Sequence, residues 1–341
     1  MPAGLMNYID DPAFSVSNLV ALVRDMPNLY YDPVDFREEG VYDSFISIDK
    51  ETNGLKILAR TERGGPPSRL GKEKGGVISM VIPNFSLEGN VKVADIEGRR
   101  ELGTPNSLKT FARATSKELI KIGRYFQITK RHLKLGALKG NVKDGANNVI
   151  VNLFEAFGIE QKTITFPLSN AAPEPVIQAA MDLADYIQDN LDGEVFGGVK
   201  VLCSKDFFDA LVKHPAVREG YKFYEGTNPI RENVSSNITR RPFEWQGILW
   251  EKFLGKAPNK AGVMTKFIDE GEAVGIPLGT NDTFVNFNAP ADFEEAVGTL
   301  GLPEYFKMAR EKYGRGVDIL GQMNPLPICT KPKTLVKVRK T

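Results

Sequence analysis

Residues able to attack, transfer protons or hold a metal are few in this chain and poorly spaced for such work. Only two histidines, His132 and His214, and two cysteines, Cys203 and Cys329, occur in 341 residues. The cysteines lack CxxC spacing, and the usual tetrahedral zinc sets cannot be assembled from one such chain. Reduced thiols and no structural metal are therefore expected. A Ser–His nucleophile pair would need a Gly-x-Ser-x-Gly elbow, which is missing, and both histidines fall in helical contexts beside basic residues or proline. Surface or capping roles are expected for them. Gly71-Lys72 suggests a phosphate loop at first sight. It lacks the Gly-x-x-x-x-Gly-Lys-Ser/Thr order, however, and no helical pattern follows it directly. The acidic pairs Glu38-Glu39, Asp182/Asp185 and Glu294-Glu295 have the spacing of solvated faces, without the apolar surroundings that raise a carboxyl pKa for general acid work. No catalytic, cofactor-binding or metal-ligating residue is assigned, and the chain does not read as an enzyme.

Its cations are better organised. Thr104-Pro105 fits an N-cap followed by Pro at the first helical position, opening a helix that runs to Gly136 or Gly140. Thr115-Ser116-Lys117-Glu118 is a capping box and an alternative start. At about 100° per residue, Leu108, Phe111, Leu119, Ile122, Phe126 and Leu133 share an arc of roughly 80°. Lys109, Arg113, Lys117, Lys121, Arg124 and Arg131 fall on a separate arc of roughly 120°, a basic ridge. Such a ridge fits DNA, an acidic face of an adjacent subunit, or solvent. A second basic group, Arg60, Arg63, Arg69, Lys72 and Lys74, lies in a run rich in Gly, Pro and charge from Arg60 to Gly76. That run cannot bury itself and is expected to project.

The elements that would carry these groups follow from the hydrophobic pattern. Before the helix, residues 44–98 shift to period two, at Phe45, Ile46 and Ile48, at Leu55, Ile57 and Leu58, at Val77 to Ile82, and at Val91, Val93 and Ile96. These read as strands in hairpins, and with the projecting run they form a two-stranded finger. A lone finger is marginal in water, so it should lie on a neighbouring subunit. Residues 1–40, with a short helix at Phe14 to Arg24 followed by Pro27 and Pro33, read as an arm. After the long helix, strands are predicted at Val149 to Phe154 and Lys162 to Phe166, and a helix at Pro173 to Leu191. Beyond Gly197-Gly198 come strand Val199 to Cys203, helix Lys205 to His214, an irregular stretch from Gly220 to Asn237, and strands at Phe243 to Gly247 and Ile248 to Phe253. The remaining expected strands are Val263 to Phe267, Gly275 to Leu278, Thr283 to Asn286 and Leu335 to Val338. No internal repeat is present.

Composition bounds the function class. The length suits about two domains, and 42% hydrophobic residues suffice for a core. With 44 Lys plus Arg against 43 Asp plus Glu, the net charge of +1 argues against a dedicated nucleic-acid binder, so any DNA contact should be local, weak and without sequence specificity. The opening MPAGLMNYIDDPAF lacks the signal-peptide pattern, and a protein made in the cytosol is expected.

Several short pieces occur in a telling order. They are Gly136-Ala137-Leu138-Lys139-Gly140 with Val142, Asp144 and Gly145, then Phe154-Glu155-Ala156-Phe157-Gly158, then Pro242-Phe243-Glu244-Trp245-Gln246-Gly247-Ile248, then Ile276-Pro277-Leu278-Gly279-Thr280. Near the end come Ala289-Pro290-Ala291-Asp292, the run Val297 to Pro303 with Tyr305, Asn324-Pro325-Leu326-Pro327-Ile328-Cys329, and Lys331-Pro332. This order resembles the major capsid protein E family of tailed bacteriophages, in its lambda-like branch. Gly298, where the family tends to have Asn, and Met323, where Ser is commoner, depart from the pattern. The arm and the finger tip match poorly.

The resemblance implies an α+β chain with the Hong Kong 97-type viral capsid fold. Residues 1–40 would be the N-arm and 41–101 the extended E-loop. Residues 102–194 with 262–341 would form the peripheral domain with its long spine helix, and 195–261 the axial domain. It further implies a major capsid protein that assembles into hexamers and pentamers forming the icosahedral head shell around the phage double-stranded DNA. The expected setting is the virion head, assembled in the host cytoplasm. Scaffolding protein, portal and a decoration protein are the expected partners. Phe154 to Gly158 would be a strand. Some shells of this fold crosslink Lys to Asn, and Lys72 and Lys74 are placed at the tip for it, but no acid or Asn partner is found for them in the sequence and no crosslink is expected. An encapsulin-type cellular nanocompartment of the same fold is the alternative.

Overall fold

In a computed structural model of the chain, the structure describes residues 32–50, 76–95, 111–191, 193–220, 242–258 and 264–341. The elements in chain order begin with β1 (Arg37–Gly40), β2 (Phe45–Lys50), β3 (Gly76–Val81) and β4 (Phe85–Lys92). Helix α1 (Phe111–Leu138) is followed by β5 (Asn141–Lys143), β6 (Val149–Asn152), α2 (Leu153–Phe157), β7 (Thr163–Phe166) and α3 (Pro173–Asp189). Then come β8 (Gly198–Cys203), α4 (Lys205–Lys213), α5 (Pro215–Gly220), β9 (Phe243–Trp245), β10 (Ile248–Lys252), β11 (Lys256–Pro258) and β12 (Met264–Lys266). The chain closes through β13 (Glu272–Leu278), β14 (Phe284–Asn288), β15 (Tyr305–Arg310), β16 (Gly316–Met323), β17 (Pro325–Cys329) and β18 (Val336–Lys340).

Three apolar cores organise these elements. Helix α1 carries Leu119, Ile122 and Phe126 against Val317, Ile319 and Met323 of the three-stranded sheet β15-β16-β4. Two glycines let helix and sheet approach. A Cβ on Gly321 would lie 2.7 Å from Ile122, and one on Gly89 would lie 2.9 Å from Glu118. The last turns of α1 leave that sheet and bring Leu133, Leu135 and Leu138 into a second core with Ile46, Met80, Phe284, Leu326 and Ile328. The third core lies between α3, α4 and one face of the six-stranded sheet β7-β18-β13-β8-β10-β9, centred on the fully buried Trp250. Its indole donates to the Trp245 carbonyl at 3.1 Å, so burying the ring leaves no unpaired N–H. The other face of the same sheet gives Leu202, Val274 and Ile276 to the second core, which ties the two halves together.

Several expectations change here. Thr115 lies inside α1 and bonds back to the Phe111 carbonyl at 3.0 Å, so its capping box starts no helix. The strand expected over Val149 to Phe154 ends at Asn152, and Phe154 to Phe157 belong to the short helix α2, closed by Gly158 at φ 63°. Phe154 to Gly158 is therefore not a strand. β4 does not complete a hairpin of the finger. It pairs antiparallel with β16, 238 residues away in sequence at the Phe85↔Met323 end of the ladder and 224 at the Lys92↔Gly316 end, where lone periodicity cannot show the partner. β15, β16 and β17 were not anticipated, because Gly316, Gly321, Pro325 and Pro327 read as punctuation. β17 accommodates its prolines by being an edge strand. Ala289 N–H donates to Asn324 and Thr330 N–H to Thr283, so the alternate positions Pro325 and Pro327 turn their nitrogens away from β14. The six-stranded sheet joins β7, β13 and β18 to β8, β9 and β10, so a cut at 195 and 262 passes through it.

Candidate assembly surfaces

The described residues bring no catalytic constellation together. Burial pushes the Cys329 thiol up to about 12 and the Cys203 thiol also upward, so both are protonated, inert core groups. His214 is buried rather than a surface residue. Its Nε2–H donates to the Asn170 carbonyl at 2.6 Å, and Nδ1 accepts from Ala216 N–H at 3.2 Å, a local cap between α4 and α5. Burial lowers the pKa of His132, whose ring lies 5.8 Å from Phe267. Among the described residues no three His, Cys, Asp or Glu side chains are placed to hold a metal, and no helix is long and apolar enough to cross a membrane.

Exposed apolar surface is the stronger feature. The β2–β3 ribbon is antiparallel with Phe45 opposite Val81 and Ile46 opposite Met80. Alternation sends Ile46 and Met80 into the core and leaves Phe45, Val77 and Val81 outside at 52%, 66% and 71% exposure. Thus the covered face of the ribbon is apolar, and the open face also carries apolar side chains, with Phe45 and Val81 paired at one end and the exposed Ser47 and Ser79 between them and Val77. Val41 N–H donates to the Asn288 carbonyl and Gly301 N–H to the Val41 carbonyl, each at 2.9 Å, so Leu300 and Leu302 stand beside the exposed Tyr42. A Cβ on Gly301 would sit 2.0 Å from the Asn288 oxygen, so only glycine permits this closure. Contiguous apolar exposure of this kind marks a surface made to be covered.

The basic ridge is shorter than expected. Arg113, Lys117, Lys121 and Arg124 are exposed on α1, with Tyr125 beside them. Lys121 pairs with Glu118 at 3.1 Å, while Lys117 and Arg124 make no ion pair among the described residues. Arg131 does not belong to the ridge. It is buried, with its guanidinium 5.5 Å from the Phe253 ring and 5.7 Å from the Phe267 ring, because those two side chains cover the far side of the last helical turns. Lys109 and the finger-tip residues Arg60, Arg63, Arg69, Lys72 and Lys74 lie outside the described residues.

Charge also fastens the segment leading to β1. Lys200 on β8 and Glu251 on β10 form a buried ion pair at 2.7 Å, and the Lys200 ammonium also donates to the Pro33 carbonyl at 2.9 Å. Lys134 of α1 reaches Glu38 at 3.4 Å and Asp32 at 3.8 Å. Glu38 accepts in turn from the Asn286 and Asn288 amides at 2.6 and 2.8 Å. These contacts were not anticipated, since none of the pairs is close in sequence.

Comparison with known proteins gives a consistent result. The family model described as phage major capsid protein E matches residues 15–340. A major capsid protein of Salmonella phage Felix O1 is 27% identical, over 96% of this chain and 96% of its own length. A major capsid protein of Pseudomonas phage KPP10 is 25% identical over 86% of each. Among solved structures, a candidate prophage capsid protein from Escherichia coli CFT073 superposes with a TM-score of 0.60 at 12% identity, covering 96% of this chain and 99% of the other. A phage-related protein from Bordetella bronchiseptica RB50 gives a TM-score of 0.51 at 10% identity, covering 95% and 96%.

Proposed function

The chain belongs to the phage major capsid protein E family, and from that membership we propose that its work is to build the icosahedral shell of a phage head, through hexamers and pentamers that enclose double-stranded DNA. The fold is the α+β, Hong Kong 97-type capsid fold. The observation that carries the reading is the β2–β3 ribbon, which is covered on one face and exposes Phe45, Val77 and Val81 on the other, in a chain whose polar groups assemble no reaction centre among the described residues. Its relatives along nearly the whole length are phage major capsid proteins, which favours a head shell over a cellular nanocompartment. The protein acts as a structural subunit and not as an enzyme.

The division of labour follows. Residues 1–40 form an arm and 41–101 an extended loop that lies on a neighbouring subunit, its tip contacts made by Arg60, Arg63, Arg69, Lys72 and Lys74. The peripheral domain is built on α1 as the spine helix. The axial domain is residues 195–261, whose strands β8, β9 and β10 share the six-stranded sheet with β7, β13 and β18 of the peripheral domain. Deleting Arg63 to Lys74 should leave a soluble monomer that forms no stable shells. Normal particles from that deletion would refute the role of the tip.

Partners of the shell are a scaffolding protein during assembly in the host cytoplasm, a portal, and a decoration protein. The ridge of Lys109, Arg113, Lys117, Lys121 and Arg124 contacts packaged DNA weakly and without sequence specificity. Replacing Lys117 and Arg124 by Glu should weaken binding of the dispersed protein to duplex DNA and lower the slope of log K against log salt by about 2, near 0.9 per lost phosphate contact. An unchanged salt slope would assign the ridge to solvent instead.

A further inference from the structure

The turn between β15 and β16 holds a side chain where the backbone disfavours one. Tyr313 lies at φ 68°, ψ 14°, in the left-handed region, and is 92% exposed. A bulky residue in that region is uncommon and strained, whereas Gly or Asn adopts it readily. Nothing within the fold compensates by burying the ring. The turn itself is well formed, with Gly314 N–H donating to Glu311 and Glu311 N–H donating to Gly316. The Arg315 guanidinium lies 5.9 Å from the Tyr313 ring, and Lys312 and Arg315 are exposed without an ion pair among the described residues. An exposed Tyr beside an Arg on a rigid turn has the composition of an interface anchor.

A matching surface lies at the other end of the same strand. The loop before β15 exposes Val297, Leu300 and Leu302, with Val297 at 79%. It is a compact turn, fixed by Thr299 N–H and Oγ1 donating to the Ala296 carbonyl and by Leu302 N–H donating to the Tyr305 hydroxyl. Glu295 in this loop is paired with Lys307 at 2.6 Å, but Glu294 is exposed and without an ion pair among the described residues. One surface is thus aromatic and basic, the other aliphatic and acidic. β15 has 6 residues, so the two ends are about 20 Å apart at 3.3 Å per residue, and the turn of one chain cannot reach its own loop.

We propose that the Lys312–Arg315 turn of one copy seats on the Glu294–Leu302 loop of a neighbouring copy, with the Tyr313 ring over the aliphatic side chains and the cations facing Glu294. Complementary patches at opposite ends of one element make a heterologous contact, which closes into a ring when repeated around an axis. The contact rests on the shell reading above and specifies one of its interfaces.

The test uses the full chain under conditions where the wild type forms multimers, with shells counted by microscopy and the dispersed chains compared by thermal unfolding. Tyr313→Gly should lower the yield of closed particles at least about tenfold, as loss of an anchor worth about 1.4 kcal/mol or more implies, while Tm stays level or rises. Arg315→Glu and Glu294→Arg should each lower the yield, and the double variant should restore it to within about threefold. Wild-type assembly by Tyr313→Gly and by both charge reversals would overturn the contact and leave the shell reading intact, as would a double variant no better than either single one. A wild type that stays monomeric under all conditions would overturn both.

Discussion

Glu251→Leu is expected to destabilise the dispersed monomer by about 3–5 kcal/mol, the cost of breaking a buried pair by removing one partner. The side chains of Lys200 and Glu251 are 6% and 1% exposed and meet at 2.7 Å across neighbouring parallel strands of the six-stranded sheet. With Glu251 gone, the ammonium faces Leu instead of its carboxylate, in the region where Leu202, Val274 and Ile276 pack. A domain is stable by only about 5–15 kcal/mol, so the loss is a large share of the total. The effect also extends beyond the pair, because the Lys200 ammonium holds the Pro33 carbonyl. Denaturant unfolding of wild type, Glu251→Leu and Lys200→Met/Glu251→Leu checks this. The double variant should recover much of the loss, since an apolar pair of similar volume often replaces a buried ion pair at little cost. A single variant within about 1 kcal/mol of wild type, the level of an exposed pair, would show that the pair does not bear on stability.

The second large effect concerns assembly. Phe45→Asp with Val81→Asp should abolish shells while shifting monomer stability by no more than about 1 kcal/mol, the usual range for surface substitutions. Phe45 and Val81 are directly opposite each other on the open face of the ribbon. The covered face, with Ile46 and Met80 each 5% exposed, is untouched. If a neighbour covers the open face, two carboxylates there are desolvated without partners, which costs several kcal/mol per contact. Velocity sedimentation reads the loss of multimers, and thermal unfolding reads the monomer. Particles of normal size and yield from this variant would mean that the open face stays in solvent.

Much of the architecture was legible because it is local. α1 declares itself by period 3.6 and α3 by the proline at its start, Pro173, and β2 and β3 by the apolar runs on either side of the Gly- and Pro-rich stretch. The part that was not legible depends on partners far away in sequence. β4 looks like a finger strand until β16 is set beside it, and β17 looks like a loop until its prolines are seen to face an open edge. Arg131 sits on the basic arc by spacing, but the aromatic rings of Phe253 and Phe267, more than 100 residues on, decide its burial. The assembly surfaces were half visible. Alternation around Phe45 and Val81 showed a ribbon, yet which face stays open follows from the core beneath Ile46 and Met80. The Lys200–Glu251 pair and the strained Tyr313 carry no sequence signal, since a buried ion pair and a left-handed turn residue look like any Lys, Glu or Tyr.

The most direct measurement of the central claim is electron microscopy of the purified full chain, concentrated with and without a scaffolding partner, alongside velocity sedimentation. Closed shells, or capsomer rings and the tubes built from them, are the predicted result. A chain that sediments as a monomer across the concentration range and shows no ordered particles in either condition would contradict it.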